Sequence, residues 1–130
     1  MQLRLAREAL PSDEAWVVGG TVRDALLGLP LEDLDLVVRA DSREAAKGLA
    51  RVSAGHAFEL SEEFAAWRVV AADRSWQADV TSMRGGSLEA DLALRDFTVN
   101  AIAIPLAGGE LIDPHRGTTD LDDRVLRAVA

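Results

Sequence analysis

The residues best suited to chemistry lie in one stretch, VVGGTVRDALLGLPLEDLDLVV, residues 17–38. Asp33 and Asp35 flank Leu34 in a run that reads as a β-strand. Their carboxylates therefore project from one face while Leu34 and Leu36 project from the other. Two carboxylates held side by side raise each other's pKa. A hard divalent cation such as Mg²⁺ takes oxygen ligands, keeps positions for substrate phosphates, and relieves that repulsion. Upstream, Gly19-Gly20 follows the β-branched Val17-Val18 and precedes Thr21-Val22-Arg23-Asp24, which would open a helix. The glycines allow a tight turn with uncovered N–H groups, and the helix N-terminus favours an anion such as phosphate. Taken singly, a Gly-Gly is an ordinary turn and an Asp-x-Asp is equally the solvated face of a strand. A phosphate cradle followed closely by a metal-binding pair favours a nucleotide site.

Composition narrows the field. A chain of 130 residues fits one domain with a real core, and a hydrophobic content of 48% is ordinary for a globular protein. Without cysteine there is no disulfide, thiolate metal site or thiol nucleophile. A net charge of −8 argues against this chain gripping nucleic acid by itself, because phosphate neutralisation needs a basic surface. No apolar run approaches a membrane span and no signal-peptide pattern opens the chain, so a cytoplasmic location is expected.

The elements that must position these residues can be read in order. Leu3–Leu10 forms an amphipathic helix broken by Pro11-Ser12-Asp13, and Ala15–Val18 is the first strand. Thr21–Leu27 is the helix after the glycines, stopped by Gly28 with Pro30 following, and Leu34–Arg39 is the second strand. Asp41 or Ser42 caps a helix to about Val52, with Ala45, Leu49 and Val52 at core spacing. Ala57–Leu60 is a short strand. Trp67–Ala71 and Trp76–Thr81 form a hairpin around Asp73-Arg74-Ser75, and both tryptophans suit cross-strand packing better than base stacking. Asp79 shares a strand face with Gln77 and Thr81. It is a candidate third carboxylate or, equally, an edge-strand aspartate facing water.

After the loop at Gly85-Gly86, Ser87 caps a helix from Glu89 or Ala90 to Leu94 or Arg95. Arg95-Asp96-Phe97-Thr98 then precedes the apolar run Val99–Leu106. Asn100 within that run needs hydrogen-bond partners, whereas Arg95 and Asp96 also read as a weak surface ion pair. Leu111-Ile112 is a last strand, Asp113-Pro114 and Gly117 make a turn, and Asp120–Val129 has a helical pattern. His56 and His115 are isolated and read as structural residues.

Three of these segments, in this order, resemble the motifs of one family. GGTVRDALLG…DLD resembles the first motif of the class II tRNA nucleotidyltransferases and bacterial poly(A) polymerases, within the DNA polymerase β-like nucleotidyltransferase superfamily. LEADLALRDFTVNAIAI is similar to their second motif, and LIDPHRGTTDLDDRVLRAV to their third. The resemblance covers nearly the whole chain and implies an α+β head, a small mixed sheet flanked by helices, over residues 1–130. The neck, body and tail domains would lie outside the chain.

It also implies roles. Asp33 and Asp35 match the pair that holds two Mg²⁺ ions, one activating the RNA 3′-hydroxyl and the other stabilising the departing pyrophosphate. Asp79 matches a further catalytic acid. Gly19, Gly20, Arg23 and Asp24 match the segment that contacts the triphosphate, and Arg95, Asp96 and Asn100 the segment associated with ribose recognition. Asp113 to Arg127 matches the segment leading to the next domain.

The implied activity is Mg²⁺-dependent transfer from CTP or ATP to the 3′-end of tRNA or another RNA, in CCA-end synthesis or repair. Alternatives are a poly(A) polymerase head or a catalytically silent nucleotide- or partner-binding module. Leu94 stands where the family usually has a first arginine before Arg95-Asp96. The short Gly85-Gly86-Ser87 loop resembles that of CC-adding members rather than the longer loop of many CCA-adding ones.

Overall fold

The computed structural model of the chain describes residues 2–10, 14–29 and 33–130. The elements are α1 (Gln2–Ala9), β1 (Ala15–Val18), α2 (Gly19–Leu26), β2 (Asp33–Val38), α3 (Ser42–Ser53), β3 (His56–Ser61), β4 (Ala66–Val70), β5 (Gln77–Ser82), α4 (Leu88–Ala93), a 3-10 turn at Thr98–Asn100, β6 (Ala103–Pro105) and α5 (Gly117–Asp122). The sheet order is β3-β4-β5-β2-β1-β6. β2 and β5 run parallel, and every other pair is antiparallel. This is the expected α+β architecture of a small mixed sheet with helices against it.

Strand alternation decides which face of β2 does what. Leu34, Leu36 and Val38 are buried against the main core with Ala46 and Leu49 of α3 and Ala6 of α1. Val37 faces the other way into a second cluster with Trp16, Val18, Leu88 and Leu92. Asp33 and Asp35 share that second face at the end of β2 that α4 leaves open. The C-terminal half of the strand is thus covered on both sides and reads as a continuous apolar run, as a central strand should. The tryptophans pack as expected. Trp16 and Trp76 are buried, and the Arg43 guanidinium lies 5.9 Å from the centre of the partly exposed Trp67 ring.

Most expected elements are present within a few residues, while the breaks at Pro11–Asp13 and Pro30 fall outside the described residues. The helix expected from Thr21 begins at Gly19. The apolar run 99–106 is split between the 3-10 turn and β6, and Ile112 contributes only an isolated bridge to Ala103. The last helix departs most from expectation, occupying Gly117–Asp122 rather than Asp120–Val129. The Asp113 carboxylate accepts from the Gly117 N–H at 2.7 Å and the Thr118 N–H at 3.0 Å, which starts the helix early. A Cβ on Gly117 would run into the Thr98 carbonyl, so the tight packing there depends on glycine.

Downstream, the chain turns back along residues 96–98. Thr98 N–H donates to the Arg127 carbonyl at 2.9 Å, and Val129 N–H to that of Asp96 at 3.0 Å. The buried Asp120 carboxylate anchors this return, accepting from the Thr98 hydroxyl at 2.6 Å and from Arg127 Nε at 3.1 Å.

The Thr98 and Arg127 hydrogen bonds hold the Asp120 pKa below its ordinary value. A carboxylate depressed in the folded state stabilises the fold above its unfolded pKa, about 3.9, and this contribution is lost as pH falls through the folded value. Urea melts of the wild type should therefore lose stability between pH 5 and more acid conditions, and Asp120→Asn should flatten part of that slope.

Candidate active site

Parallel pairing of β2 with β5 sets Asp33 beside Gln77 and Asp35 beside Asp79. In-register neighbours on parallel strands point to the same face, about 4.8 Å apart, so Asp33, Asp35 and Asp79 meet at one cleft. β5 is an interior strand between β4 and β2, which removes the edge-strand reading of Asp79. On β4, Arg68 is the direct partner of Asp79. Its Nε donates to Oδ1 at 2.8 Å and its Nη2 to Oδ2 at 3.1 Å, a bidentate pair with both side chains about 30% exposed.

The glycine turn closes over the aspartates. Gly19 has φ +63°, a left-handed conformation that a side chain would strain. A Cβ at Gly19 or Gly20 would stand 3.6 or 3.5 Å from Asp35 Oδ2, so the carboxylate lies against the turn. Thr21 fastens α2 to β2. Its buried hydroxyl donates to the Asp33 carbonyl at 3.1 Å and accepts from the Asp35 N–H at 2.7 Å. The anion lying at the α2 N-terminus is thus the protein's own Asp35, and Arg23 supplies the nearest cationic side chain for a substrate phosphate.

The remaining candidates form two groups. Arg23 donates from Nη1 to Asn100 Oδ1 at 3.0 Å and from Nε to Asp24 at 3.1 Å, while Asn100 Nδ2 donates to Asp96 at 3.3 Å. Asp24, Arg23, Asn100 and Asp96 are therefore one hydrogen-bonded chain, which supplies the partners that Asn100 requires. Arg95 does not pair with Asp96, contrary to the surface-pair reading. Its Nη2 donates to Asp91 at 2.9 Å.

Asp91 is only 1% exposed and also accepts from the Arg84 N–H at 2.9 Å, with the Arg84 guanidinium 3.5 Å away. Two clefts adjoin here. One of about 220 Å³ is lined by the carboxylates, Gly20, Arg23, Asp24 and Arg68. The other, about 360 Å³, runs past Gly19, Arg95, Asp96 and Asn100, with Asp35 and Asp79 bordering both. His56 and His115 line neither. Every expected site residue is thus gathered at one place. Thr21, Arg68 and Asp91, which sequence reading passed over, hold it in shape.

The electrostatics single out Asp35. Burial raises its pKa first and the neighbouring Asp79 and Asp33 raise it further, against the pull of Arg95 and the Thr21 backbone N–H. Asp96 is held low by the Phe97 N–H and the Asn100 amide. Among the described residues neither Asp33 nor Asp35 forms an ion pair, so this oxygen pair, with the Asp35 charge disfavoured, suits a hard divalent cation. No cluster of three or more His, Asp or Glu is arranged as a ready metal site among the described residues, and Asp79 is held by Arg68 instead.

Comparison with known proteins agrees with this geometry. The crystal structure of a tRNA nucleotidyltransferase complexed with a primer tRNA and an incoming ATP analog superposes with a TM-score of 0.81 at 35% identity, over 100% of this chain and 39% of that one. The fold is that of a DNA polymerase β-like nucleotidyltransferase head. A sequence model of the family described as "Poly A polymerase head domain" matches residues 15–127, and the chain belongs to that family.

It is similar to the CC-adding tRNA nucleotidyltransferase of Geobacter sulfurreducens, 44% identical over 114 residues, or 88% of this chain and 26% of the relative. It is equally similar to the A-adding tRNA nucleotidyltransferase of Deinococcus radiodurans, 45% identical over 116 residues, or 89% of this chain and 26% of the relative. The chain thus spans about a quarter of the length of these relatives. Membership implies dependence on a divalent metal. No helix among the described residues is long and apolar enough to cross a membrane.

Removing one partner of a buried ion pair costs about 3–5 kcal/mol, and less where the other partners reach solvent. Asp91→Ala should accordingly cost roughly 2–3 kcal/mol in urea unfolding, since Arg84 remains partly solvated. A loss below about 0.5 kcal/mol, the size of an ordinary surface change, would show that the arginines do not depend on Asp91.

Proposed function

We propose that this chain is the catalytic head of a tRNA nucleotidyltransferase, transferring a nucleotide from CTP or ATP to an RNA 3′-end. The observation that carries the reading is the Asp33–Asp35 pair facing the glycine turn, with Asp79 beside it and the Arg23–Asn100–Asp96 chain in the adjoining cleft. Its similarity to a CC-adding and an A-adding tRNA nucleotidyltransferase, and to one solved with a primer tRNA, supports this substrate class. Such a substrate goes with a cytoplasmic location.

Asp33 and Asp35 would hold Mg²⁺, for which their oxygens and the charge penalty on Asp35 are suited. When bound, the metal supplies an acidified 3′-hydroxyl and charge neutralisation for the pyrophosphate. In the reaction the 3′-oxygen forms a bond to the α-phosphorus, the bond to pyrophosphate breaks in line, and no bond to protein is made. Arg23 orients the triphosphate beside Gly19-Gly20. Asn100 and Asp96, already joined by a hydrogen bond at the border of the second cleft, are placed to meet the ribose hydroxyls. Arg95, fixed by Asp91, balances the carboxylate charge from the far side.

The cleft offers phosphate and ribose contacts, so base choice and RNA grip are assigned to the additional length that the relatives possess. The short loop between β5 and α4 fits a CC-adding enzyme, and the identity shared with an A-adding relative leaves the base assigned outside the head.

Calorimetric titration of CTP and ATP with Mg²⁺ tests the reading. The expected result is metal-dependent binding with little preference between the bases, lost in Asp33→Ala/Asp35→Ala. Absence of binding at millimolar nucleotide would overturn it.

A further inference from the structure

Beyond holding Asp79, Arg68 has been given no part in the chemistry, yet it lines the cleft beside all three carboxylates. Both oxygens of Asp79 accept from its guanidinium fork, so its charge is already balanced and one lone pair on each oxygen is occupied while the pair is intact. The contact is also built to be exchangeable. Both side chains are about 30% exposed, and an ion pair open to water contributes on the order of 1 kcal/mol or less. Arg68 and Asp79 are direct partners across antiparallel β4 and β5, so the two side chains meet without any movement of the backbone. Asp33 and Asp35 line the same cleft as Arg68 and Asp79.

From this arrangement we propose that Arg68 is an internal counter-ion that competes with the divalent metal for Asp79. Metal entry exchanges the Arg68–Asp79 pair for metal–Asp79 ligation and turns the freed guanidinium toward the substrate phosphates. The inference rests on the nucleotidyltransferase reading above.

Three physical points support it. Asp35 and Asp79 are in-register neighbours, so an ion held at Asp35 lies within reach of an unpaired Asp79. Three carboxylates converging on one cleft favour a cation beside them, and of the arginines at this cleft Arg68 is the one ion-paired with Asp79. A planar guanidinium displaced from a carboxylate is suited to bidentate capture of a phosphate, and Arg68 lines the same cleft as Gly20 and Arg23. The exchange conserves charge pairing. The metal takes over a carboxylate while the arginine takes over a phosphate, so metal and triphosphate should bind cooperatively.

The test is Mn²⁺ binding, read as free Mn²⁺ by electron paramagnetic resonance, on the 130-residue chain and on Arg68→Gln, Arg68→Lys, Asp79→Asn and Arg68→Gln/Asp79→Asn. Circular dichroism confirms that each variant is folded. Competition predicts tighter Mn²⁺ binding in Arg68→Gln by about fivefold, the equivalent of a ~1 kcal/mol ion pair. Arg68→Lys keeps the charge but loses the fork, and should tighten binding by a smaller factor. The gain should vanish in the double variant, where no carboxylate remains to be released. With saturating Mn²⁺, Arg68→Gln should in turn bind CTP more weakly than the wild type.

Unchanged or weaker Mn²⁺ binding in Arg68→Gln would overturn the proposal, and so would a gain that survives in the double variant. If Mn²⁺ binds neither the wild type nor any variant, the nucleotidyltransferase reading falls as well, which separates the two failures.

Discussion

Everything at this site depends on the parallel pairing of β2 with β5. That single register places Asp35 alongside Asp79, from strands far apart in sequence, and so concentrates negative charge where α4 leaves the sheet uncovered. Burial disfavours the Asp35 charge and its acidic neighbours disfavour it further. The surrounding architecture manages this one electrostatic problem. Arg68 neutralises Asp79, Arg95 draws on Asp35 from the second cleft, and the Thr21 hydroxyl locks the strand carrying Asp33 and Asp35 to the glycine turn.

A second layer of order runs from the head's middle segment to its end. Asp91 positions Arg95 while Asp96 and Asn100 border the second cleft, and the next residues along, Phe97 and Thr98, pair with the returning segment at 127–129. Asp120 ties Thr98 to Arg127 from within the fold.

Much of this was legible in the sequence because the signals are local. Alternation along β2 fixes the faces of Asp33 and Asp35, a Gly-Gly between strand and helix marks the turn at Gly19, and an amide in an apolar run marks Asn100. Arg68 was not legible, because its partnership with Asp79 depends on hairpin register, which the Asp73-Arg74-Ser75 loop sets and residue spacing does not. Asp91 left a faint trace in its i,i+4 spacing to Arg95, but nothing local distinguishes a buried acid from an exposed one on a short helix. The last helix was misplaced because the apolar spacing of 120–129 is a helical pattern. Its preference is overridden by the Asp113 cap and by the tertiary pull of Thr98 on Asp120.

We propose the carboxylate cluster as a charge-strained cradle for a divalent cation, with Asp35 at its centre. Thermal melts of the wild type and Asp35→Asn at pH 7, with and without Mg²⁺, test it most directly. A carboxylate whose folded pKa is raised destabilises the fold once ionised, so without metal the variant should melt above the wild type. That gap should close as pH falls toward the ordinary carboxylate pKa of about 3.9. Mg²⁺ should raise the melting temperature of the wild type and leave the variant unmoved. A variant that melts lower than the wild type, together with a wild type indifferent to Mg²⁺, would show that Asp35 is neither strained nor a metal ligand.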